Sequence, residues 1–298
     1  MNPRVGAALA LASATAYGVT VAIGRSLADS GLGPATALGF RFCVAAALLL
    51  GVQAARGRTL LPAPGDRVRV FLLGFVGYAV ESTCFFLALE RGTAAAVALL
   101  FYSYPAMVAV AELALGITRP SRPLLAGLVL AVVGTAAVAV TGGDVTIERT
   151  GIAFALAAAV SFTAYLLAGD RWGARTESLV KAAWVSGGAG LSIVLRGLVG
   201  GDLRSPGDDW AQLVAYAAAN AFAFGLMFAA LRRIGATRTA VVLTFEVVAA
   251  IVLAAVFLGE RLELEQALGG FAVLAGAILV VSSQSAPEAI VDEAPTPP

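Results

Sequence analysis

The feature that most constrains this chain is a succession of apolar segments, each long enough to cross a bilayer. A helix of about 20 apolar residues spans the hydrocarbon core of a membrane. Short breaks that carry Gly, Pro or charged residues separate the segments. Ten such segments, numbered 1 to 10, cover residues 5–27, 35–54, 69–89, 94–116, 122–141, 150–168, 178–199, 209–231, 237–258 and 264–283. The pattern predicts an all-α polytopic membrane protein with ten transmembrane helices.

The composition excludes the other broad classes of protein. Hydrophobic residues make up 59% of the chain and charged residues 13%, whereas a soluble domain is usually about 45–50% apolar and about 25% charged. So few charges cannot form a water-exposed surface, and so many apolar residues exclude intrinsic disorder. A transmembrane β-barrel alternates polar and apolar residues and is less apolar than this chain.

Several kinds of chemistry lack the residues that they need. The chain has no histidine, and its two cysteines, Cys43 and Cys84, lie within apolar runs. The usual His/Cys zinc site and the His-dependent catalytic triads are therefore excluded. Its one lysine, Lys181, does not follow the glycines of a phosphate-binding loop. Because 20 basic residues balance 19 acidic ones, no nucleic-acid surface is indicated. We expect no metal, no cofactor and no nucleic-acid partner.

The placement of basic residues predicts the orientation of the chain. With the N-terminus inside the cell, 13 arginines and lysines fall in the inner segments and 6 in the outer loops. Because cytoplasmic loops carry the excess of basic residues, both termini are predicted to be cytoplasmic. The last residues, 284–298, contain four prolines and three acidic residues but no basic one. They are predicted to form a disordered cytoplasmic tail.

The chain repeats itself. At an offset of 142 residues, Ala88–Leu89 matches Ala230–Leu231, and the glycines of segment 5 match those of segment 10 (Gly127 with Gly269, Gly134 with Gly276). We predict a first five-helix repeat over 1–141, an outer linker over 142–149 and a second repeat over 150–283. Because each repeat has an odd number of helices, the second must be inverted in the membrane. Inverted repeats place a binding site near the bilayer midplane, so a central cavity is expected there.

Four ionisable residues, Arg41, Glu81, Glu112 and Glu246, lie within the apolar segments. Such groups are costly in hydrocarbon and usually face a cavity or a partner. Arg41 and Glu81 have similar depths on neighbouring segments, so they are a candidate ion pair; Arg41 is equally a candidate for substrate contact. Glu246 has no basic residue in reach on its own helix and is a candidate for carrying a proton or binding an amine. Glu112 is close to the inner end of segment 4, where we expect it to reach water.

Tyrosines in the middle of the segments are the second polar signal. Tyr is normally enriched at membrane interfaces, and a buried phenol needs a hydrogen-bond partner. Water in a cavity would supply one, although hydrogen bonds between helices of a solid bundle remain the alternative. Pro105 predicts a bend in segment 4, either a hinge or a feature that shapes the cavity. The candidate cavity-lining residues are Tyr17, Tyr78, Glu81, Tyr102, Tyr104, Tyr165, Trp184, Asn220 and Glu246.

In this order and on ten helices, several short stretches are similar to the drug/metabolite transporter superfamily in its ten-helix EamA form. The stretches are Arg41–Phe42, Ala88–Leu89 with 93–100, Tyr102 to Pro105, 230–246 ending in Phe245–Glu246, and Gly259–Glu260–Arg261. Within the superfamily, the chain most resembles bacterial YddG-type exporters of aromatic and other amino acids. Segment 9 of the family often carries Glu-Pro. Here Val247 follows Glu246, so we expect no proline bend in the second repeat.

The resemblance implies a secondary transporter that exports amino acids, aromatic ones included, or similar small metabolites. It would act by alternating access in the bacterial inner membrane, as a monomer with a small-molecule substrate and no enzymatic activity. A multidrug or organic-cation exporter of the same fold is the alternative. A passive channel is disfavoured because no charged or carbonyl filter is visible. An intramembrane enzyme is disfavoured because the chain has no cluster of aspartates and no histidine.

Overall fold

A computed structural model describes residues 3–141, 146–258 and 264–282. Its regular secondary structure in these ranges is helical, apart from one isolated antiparallel bridge between Gly92 and Ile147. The helices are α1 (Pro3–Asp29), α2 (Pro34–Ala55), α3 (Arg67–Leu72), the π-helix π1 (Leu73–Tyr78), α4 (Ala79–Leu89), α5 (Ala94–Phe101), α6 (Tyr104–Ala114), α7 (Arg122–Thr141), α8 (Arg149–Arg171), α9 (Ser178–Gly200), α10 (Trp210–Leu243), α11 (Phe245–Leu258) and α12 (Leu264–Ser282). The predicted tail over 284–298 and part of the predicted linker lie outside the described residues.

All ten predicted segments are helical, but three of them are interrupted. Segment 3 consists of α3, π1 and α4, which follow one another without a loop. Segment 4 is divided into α5 and α6, and segment 9 into the end of α10 and α11. Within α10, Gly235 has φ 76° and ψ 177°, a conformation that glycine adopts at no steric cost. The reversal there separates segment 8 from segment 9.

Length and hydropathy support a membrane location. In the described residues, seven helices are long and apolar enough to cross a membrane, and two shorter apolar helices lie at Arg122–Ala137 and Ala267–Val280. Large apolar side chains also point outward, such as Val199 (92% exposed) and Phe271 (73% exposed). Such surfaces are stable in lipid and not in water. The protein is therefore an all-α polytopic membrane protein.

The contact between α7 and α12 shows how the two repeats are related. A Cβ atom added to Gly127 would lie 2.6 Å from the carbonyl oxygen of Gly276, and one added to Gly134 would lie 2.6 Å from that of Gly269. These four glycines are the ones that match at the offset of 142 residues, Gly127 with Gly269 and Gly134 with Gly276. In the structure each glycine contacts the equivalent of the other one. When residue i of one unit contacts residue j of the other and j contacts i, the two units are related by a two-fold axis.

The other helix pairs follow the same symmetry. The helix α2 packs against α9, which joins segments 2 and 7. The pair α1 with α10 joins segments 1 and 8, and the pair α4 with α8 joins segments 3 and 6. Segment 1 is equivalent to segment 6, and segment 8 is equivalent to segment 3. The contact between segments 1 and 8 therefore has its symmetric counterpart in the contact between segments 6 and 3. The chain is thus two inverted five-helix repeats, and its helices pack closely through glycines and alanines as membrane helices do.

Loops at one end of the bundle are joined by hydrogen bonds between the repeats. Gln53 Nε2 donates to Glu177 Oε2 at 2.9 Å, and Thr176 Oγ1 donates to Asp66 Oδ2 at 3.1 Å. Trp184 Nε1 donates to the carbonyl oxygen of Leu60 at 2.9 Å. The loop between α2 and α3 is therefore fixed to the loop between α8 and α9 and to α9 itself, which closes this end of the bundle.

Candidate functional site

Both repeats contain a broken helix at the same position. The helix α5 ends at Phe101, and α6 begins at Tyr104. In the second repeat, α10 ends at Leu243 and α11 begins after Thr244. Tyr102 and Thr244 occupy equivalent positions, because they are 142 residues apart. Discontinuous helices in corresponding positions of two inverted halves surround the substrate sites of secondary transporters.

The break in the second repeat is formed without a proline. The sequence predicts a bend at Pro105 in segment 4 and no proline bend in segment 9, where Val247 follows Glu246. The structure interrupts both segments, and in segment 9 a hydroxyl takes part: Thr244 Oγ1 donates to the carbonyl oxygen of Val241 at 2.6 Å. A threonine that binds the carbonyl of the preceding turn competes with the helical hydrogen bond. Proline is therefore not needed for the break.

Twelve aromatic rings are connected through ring contacts; we call ten of them the aromatic cluster, and the other two, Phe85 and Phe86, extend the set from Phe101. The rings of Tyr78 and Tyr165 are 5.3 Å apart, and those of Tyr104 and Phe162 are 4.8 Å apart, both edge to face. This is the favoured geometry for aromatic pairs. The aromatic cluster consists of Tyr17, Phe42, Tyr78, Phe101, Tyr102, Tyr104, Phe162, Tyr165, Phe224 and Phe228. All five tyrosines predicted to line a cavity thus belong to one cluster.

The tyrosine hydroxyls of the aromatic cluster differ in their partners. Tyr104 Oη donates to the carbonyl oxygen of Ala240 at 3.2 Å, and Tyr17 Oη approaches Met227 Sδ at 3.5 Å. These contacts match the alternative of hydrogen bonds between helices. Tyr165 is 1% exposed, and its hydroxyl has no partner in the described part of the chain. The centre therefore contains both satisfied phenols and one that a ligand or water can complete.

Arg41 and Glu81, the candidate ion pair, are not in direct contact: no oxygen of Glu81 lies within 4.0 Å of the Arg41 guanidinium, although the positive charge of Arg41 still acts on Glu81. Arg41 Nη1 donates to Tyr216 Oη at 2.7 Å, and its guanidinium lies 4.3 Å from the ring centroid of Phe42 and 4.7 Å from that of Tyr216. Glu81 Oε2 instead accepts from Ser82 Oγ at 3.0 Å. The reason is the inverted packing: α2 lies against α9 and α10, whereas α4 lies against α8. Segments 2 and 3 are adjacent in the sequence, but α2 and α4 pack mainly against helices of the second repeat.

Two further buried polar groups near the aromatic cluster lack partners. Arg41 is 9% exposed, and its Nε has no hydrogen-bond partner in the described residues. Asn220 is fully buried, and neither its Oδ1 nor its Nδ2 has a partner there. Asn220 lies one turn from Tyr216 and one turn from Phe224 on α10. An unsatisfied buried polar group costs about 1–3 kcal/mol. Such groups beside a cluster of rings indicate a site that water or a ligand completes.

Glu246 lies in the first turn of α11, directly after the break, and is half-buried. The N-terminus of a helix carries a partial positive charge that favours a carboxylate. Glu81 and Arg41 are both close enough to interact electrostatically with Glu246. One guanidinium and two carboxylates, from three different helices, therefore lie within electrostatic range of one another beside the aromatic cluster.

Trp184, predicted to line the cavity, and Glu112, predicted to reach water, both have other contacts in the structure. Trp184 packs partly against the core, but its indole N–H binds the loop between α2 and α3. Glu112 does not reach water: it is 4% exposed and accepts hydrogen bonds from Thr237 Oγ1 at 2.5 Å and from Thr118 Oγ1 at 2.8 Å. Glu112, near the end of α6, thus joins segment 4 to the start of segment 9 at Thr237.

Sequence reasoning missed the phenylalanines that complete the aromatic cluster. Phe224 lies within 6.0 Å of the rings of Tyr17, Phe42 and Tyr78, and so connects three helices. Phenylalanine is unremarkable in a membrane helix, whereas a central tyrosine is unusual. The spacing along α10 could have identified Phe224. Tyr216, Asn220 and Phe224 follow one another at intervals of four residues, so they lie on one face of the helix.

A fold of two inverted repeats, with a broken helix in each repeat and polar groups at the breaks, is typical of membrane transporters. The family model of the EamA-like transporter family matches residues 4–140 and 149–282, so the chain belongs to this family, part of the drug/metabolite transporter superfamily. A solved crystal structure that is 18% identical has the same fold, with a TM-score of 0.79 over 94% of this chain and 99% of the other. A search of curated proteins finds no match. The protein is therefore a membrane transporter of the drug/metabolite type.

Proposed function

We propose that the protein exports amino acids, aromatic ones included, or similar small metabolites by alternating access. The observation that carries the proposal is the combination of one guanidinium and two carboxylates beside the aromatic cluster. A zwitterion with a ring needs these three kinds of contact: a cation, an anion and an apolar or aromatic surface. Nucleotide sugars and other polyanions would need several cations. The described helices bring two to the aromatic cluster, Arg41 and Lys181, and Lys181 already donates to the carbonyl oxygen of Gly169 at 2.9 Å, 5.6 Å from the ring centroid of Phe228.

Each group has a role in this proposal. Arg41 binds the substrate carboxylate through its guanidinium, where Nε has no partner among the described residues. Glu246 or Glu81 binds the ammonium group, and Asn220 offers one further donor and acceptor. The tyrosines at positions 17, 78, 102, 104 and 165 contact the side chain, with about 0.5–1.5 kcal/mol for each ring contact.

The proposed setting is the bacterial inner membrane, with a monomer whose two termini are cytoplasmic. The excess of basic residues at the N-terminal side of the bundle supports this orientation. The proposed units are the repeats 1–141 and 150–283, joined by the linker 142–149. Alternating access would rock these repeats about the two breaks. One break lies at Tyr102, next to Pro105, and the other at Thr244, the position equivalent to Tyr102 in the second repeat.

Uptake by proteoliposomes tests the site. A panel of labelled amino acids is measured with the native protein, Tyr78→Ala and Phe222→Ala, with and without a pH gradient. Phe222 is 60% exposed on the lipid side of α10, so its replacement is the matched control for the loss of a ring. We expect Tyr78→Ala to raise the half-saturating concentration of phenylalanine roughly tenfold, and Phe222→Ala to leave it unchanged. Unchanged affinity of Tyr78→Ala for every amino acid would reject the assignment.

One observation favours a second candidate, the export of organic cations. Two carboxylates lie within electrostatic range of one guanidinium, so the site has an excess of negative charge that would suit a cation without a carboxylate. Competition separates the candidates. An aromatic amine that displaces labelled phenylalanine, while the amino acid does not displace the labelled amine, would favour the cation exporter.

A further inference from the structure

We propose that an anionic phospholipid binds in a lateral site between π1, α4 and α8. One acyl chain lies in the cavity between these helices, and the phosphate lies at Arg69 and Arg171. The site adjoins the proposed substrate site at Tyr165 and does not depend on which solute is transported.

The cavity has a volume of about 400 Å³ and opens toward the lipid. On one wall Leu72, Val76 and Val80 are 41%, 51% and 44% exposed, so lipid reaches this wall directly. Nearly all of the lining is apolar, as an acyl chain requires. The lining residues are Leu72, Leu73, Val76, Gly77, Val80, Ser161, Ala164, Tyr165, Ala168 and Trp172.

The π-helix and small residues explain why the cavity exists at this place. Gly77 on π1 and Ala164 and Ala168 on α8 leave little side chain between the two helices. The extra residue per turn in π1 also displaces the helix from regular α packing. The equivalent residues of the second repeat, 215–220, are α-helical. There the corresponding helices close on each other, and Ser13 Oγ donates to the carbonyl oxygen of Ala223 at 2.8 Å.

Charges at one end of the cavity select the headgroup. Trp172 ends the cavity at the point where α8 terminates, and a Cβ added to the next residue, Gly173, would lie 2.7 Å from Val70 Cγ2 of α3. Arg69 precedes Val70, and Arg171 precedes Trp172. Both arginines are exposed, and in the described part of the chain neither has a carboxylate within 4.0 Å. Basic side chains at the mouth of a gap between membrane helices bind anionic lipid headgroups.

The far end of the cavity connects the lipid to the aromatic cluster. Tyr165 lines the cavity, and its ring is also 5.3 Å from Tyr78 and 5.7 Å from Phe162. An acyl chain in the cavity would therefore support the ring wall of the substrate site from outside. A lipid that fills the gap can hold α4 and α8 at their present separation.

Quenching of Trp172 by brominated lipids tests the proposal. Trp184→Phe and Trp210→Phe remove the other two tryptophans, so that fluorescence reports the mouth of the cavity. The protein is reconstituted in phosphatidylcholine vesicles with equal mole fractions of either brominated phosphatidylglycerol or brominated phosphatidylcholine. We expect the anionic lipid to bind roughly tenfold more tightly than the zwitterionic one, with the preference falling as salt rises.

Variants separate the tail from the headgroup. Ala164→Phe fills the cavity and should abolish the excess quenching, whereas Val160→Phe, on an exposed position of α8 outside the cavity, should not. Arg69→Gln with Arg171→Gln should remove the preference for phosphatidylglycerol, whereas Arg149→Gln at the other end of α8 should retain it. Equal quenching by both lipids would overturn the headgroup assignment. Excess quenching that persists in Ala164→Phe would overturn the acyl-chain assignment.

Discussion

Replacing Arg41 by Met tests whether the guanidinium binds a substrate carboxylate. Arg41 is 9% exposed, and its Nη1 donates to Tyr216 Oη at 2.7 Å, while Nε lacks a partner in the described residues. Methionine retains much of the apolar length but none of the donors. The substitution therefore removes the charge and leaves the packing against Phe42 largely in place.

The expected size of the effect follows from these contacts. A hydrogen bond from a charged donor contributes about 1.5–3 kcal/mol. Since 1.4 kcal/mol corresponds to a factor of ten in affinity, Arg41→Met should raise the half-saturating concentration of phenylalanine about 10- to 150-fold. Phenethylamine, which has the same ring and amine but no carboxylate, should lose no affinity.

Competition assays in proteoliposomes give both affinities from one preparation. Arg196→Met is the control, because Arg196 donates to Thr83 Oγ1 at an exposed site away from the cluster. Tyr216→Phe removes the protein partner of the guanidinium and leaves the charge. An equal loss of affinity for phenylalanine and phenethylamine in Arg41→Met would refute the reasoning, because it would assign Arg41 a structural role through Tyr216.

Three more predictions concern packing and the remaining buried polar groups. Gly276→Leu should lower the unfolding temperature, because its Cβ would lie 2.6 Å from a backbone carbonyl of the facing helix; the exposed Ile278→Leu should leave it unchanged. Tyr165→Phe should not reduce the unfolding temperature, since no protein hydrogen bond is lost, but should weaken binding of substrate if the hydroxyl contacts it. Glu112→Gln should reduce stability by about 1.5–3 kcal/mol, because two threonine hydroxyls donate to the carboxylate; Glu265→Gln, which is exposed, serves as its control in thermal unfolding.

The sequence was sufficient for the membrane class and the repeat, because both depend on properties that act over long stretches. Twenty apolar residues predict a spanning helix wherever they occur. The glycines that matched at a constant offset proved to be the contact between α7 and α12, since only glycine allows such close approach of two backbones. The odd number of segments in each repeat then fixed the inverted arrangement.

The details of the site depended on pairings between distant helices, which the sequence does not express. Arg41 and Glu81 appeared to be partners because segments 2 and 3 are adjacent in the chain, yet inversion places Arg41 against Tyr216 of the second repeat. The break after Leu243 was not predicted because no proline marks it, and the hydrogen bond of Thr244 at this position is seen in the structure alone. Phe224 was missed because a phenylalanine carries no polar signal, although three rings of the cluster pack against it.

Counterflow of labelled phenylalanine is the most direct measurement of the mechanism. Proteoliposomes are loaded with unlabelled phenylalanine and diluted into a trace of the labelled form. A carrier that alternates between two faces with one site predicts transient accumulation of label inside the vesicles above the outside concentration, and its loss in Tyr78→Ala. Simple equilibration of label, with no accumulation under any loading, would contradict alternating access at the aromatic cluster.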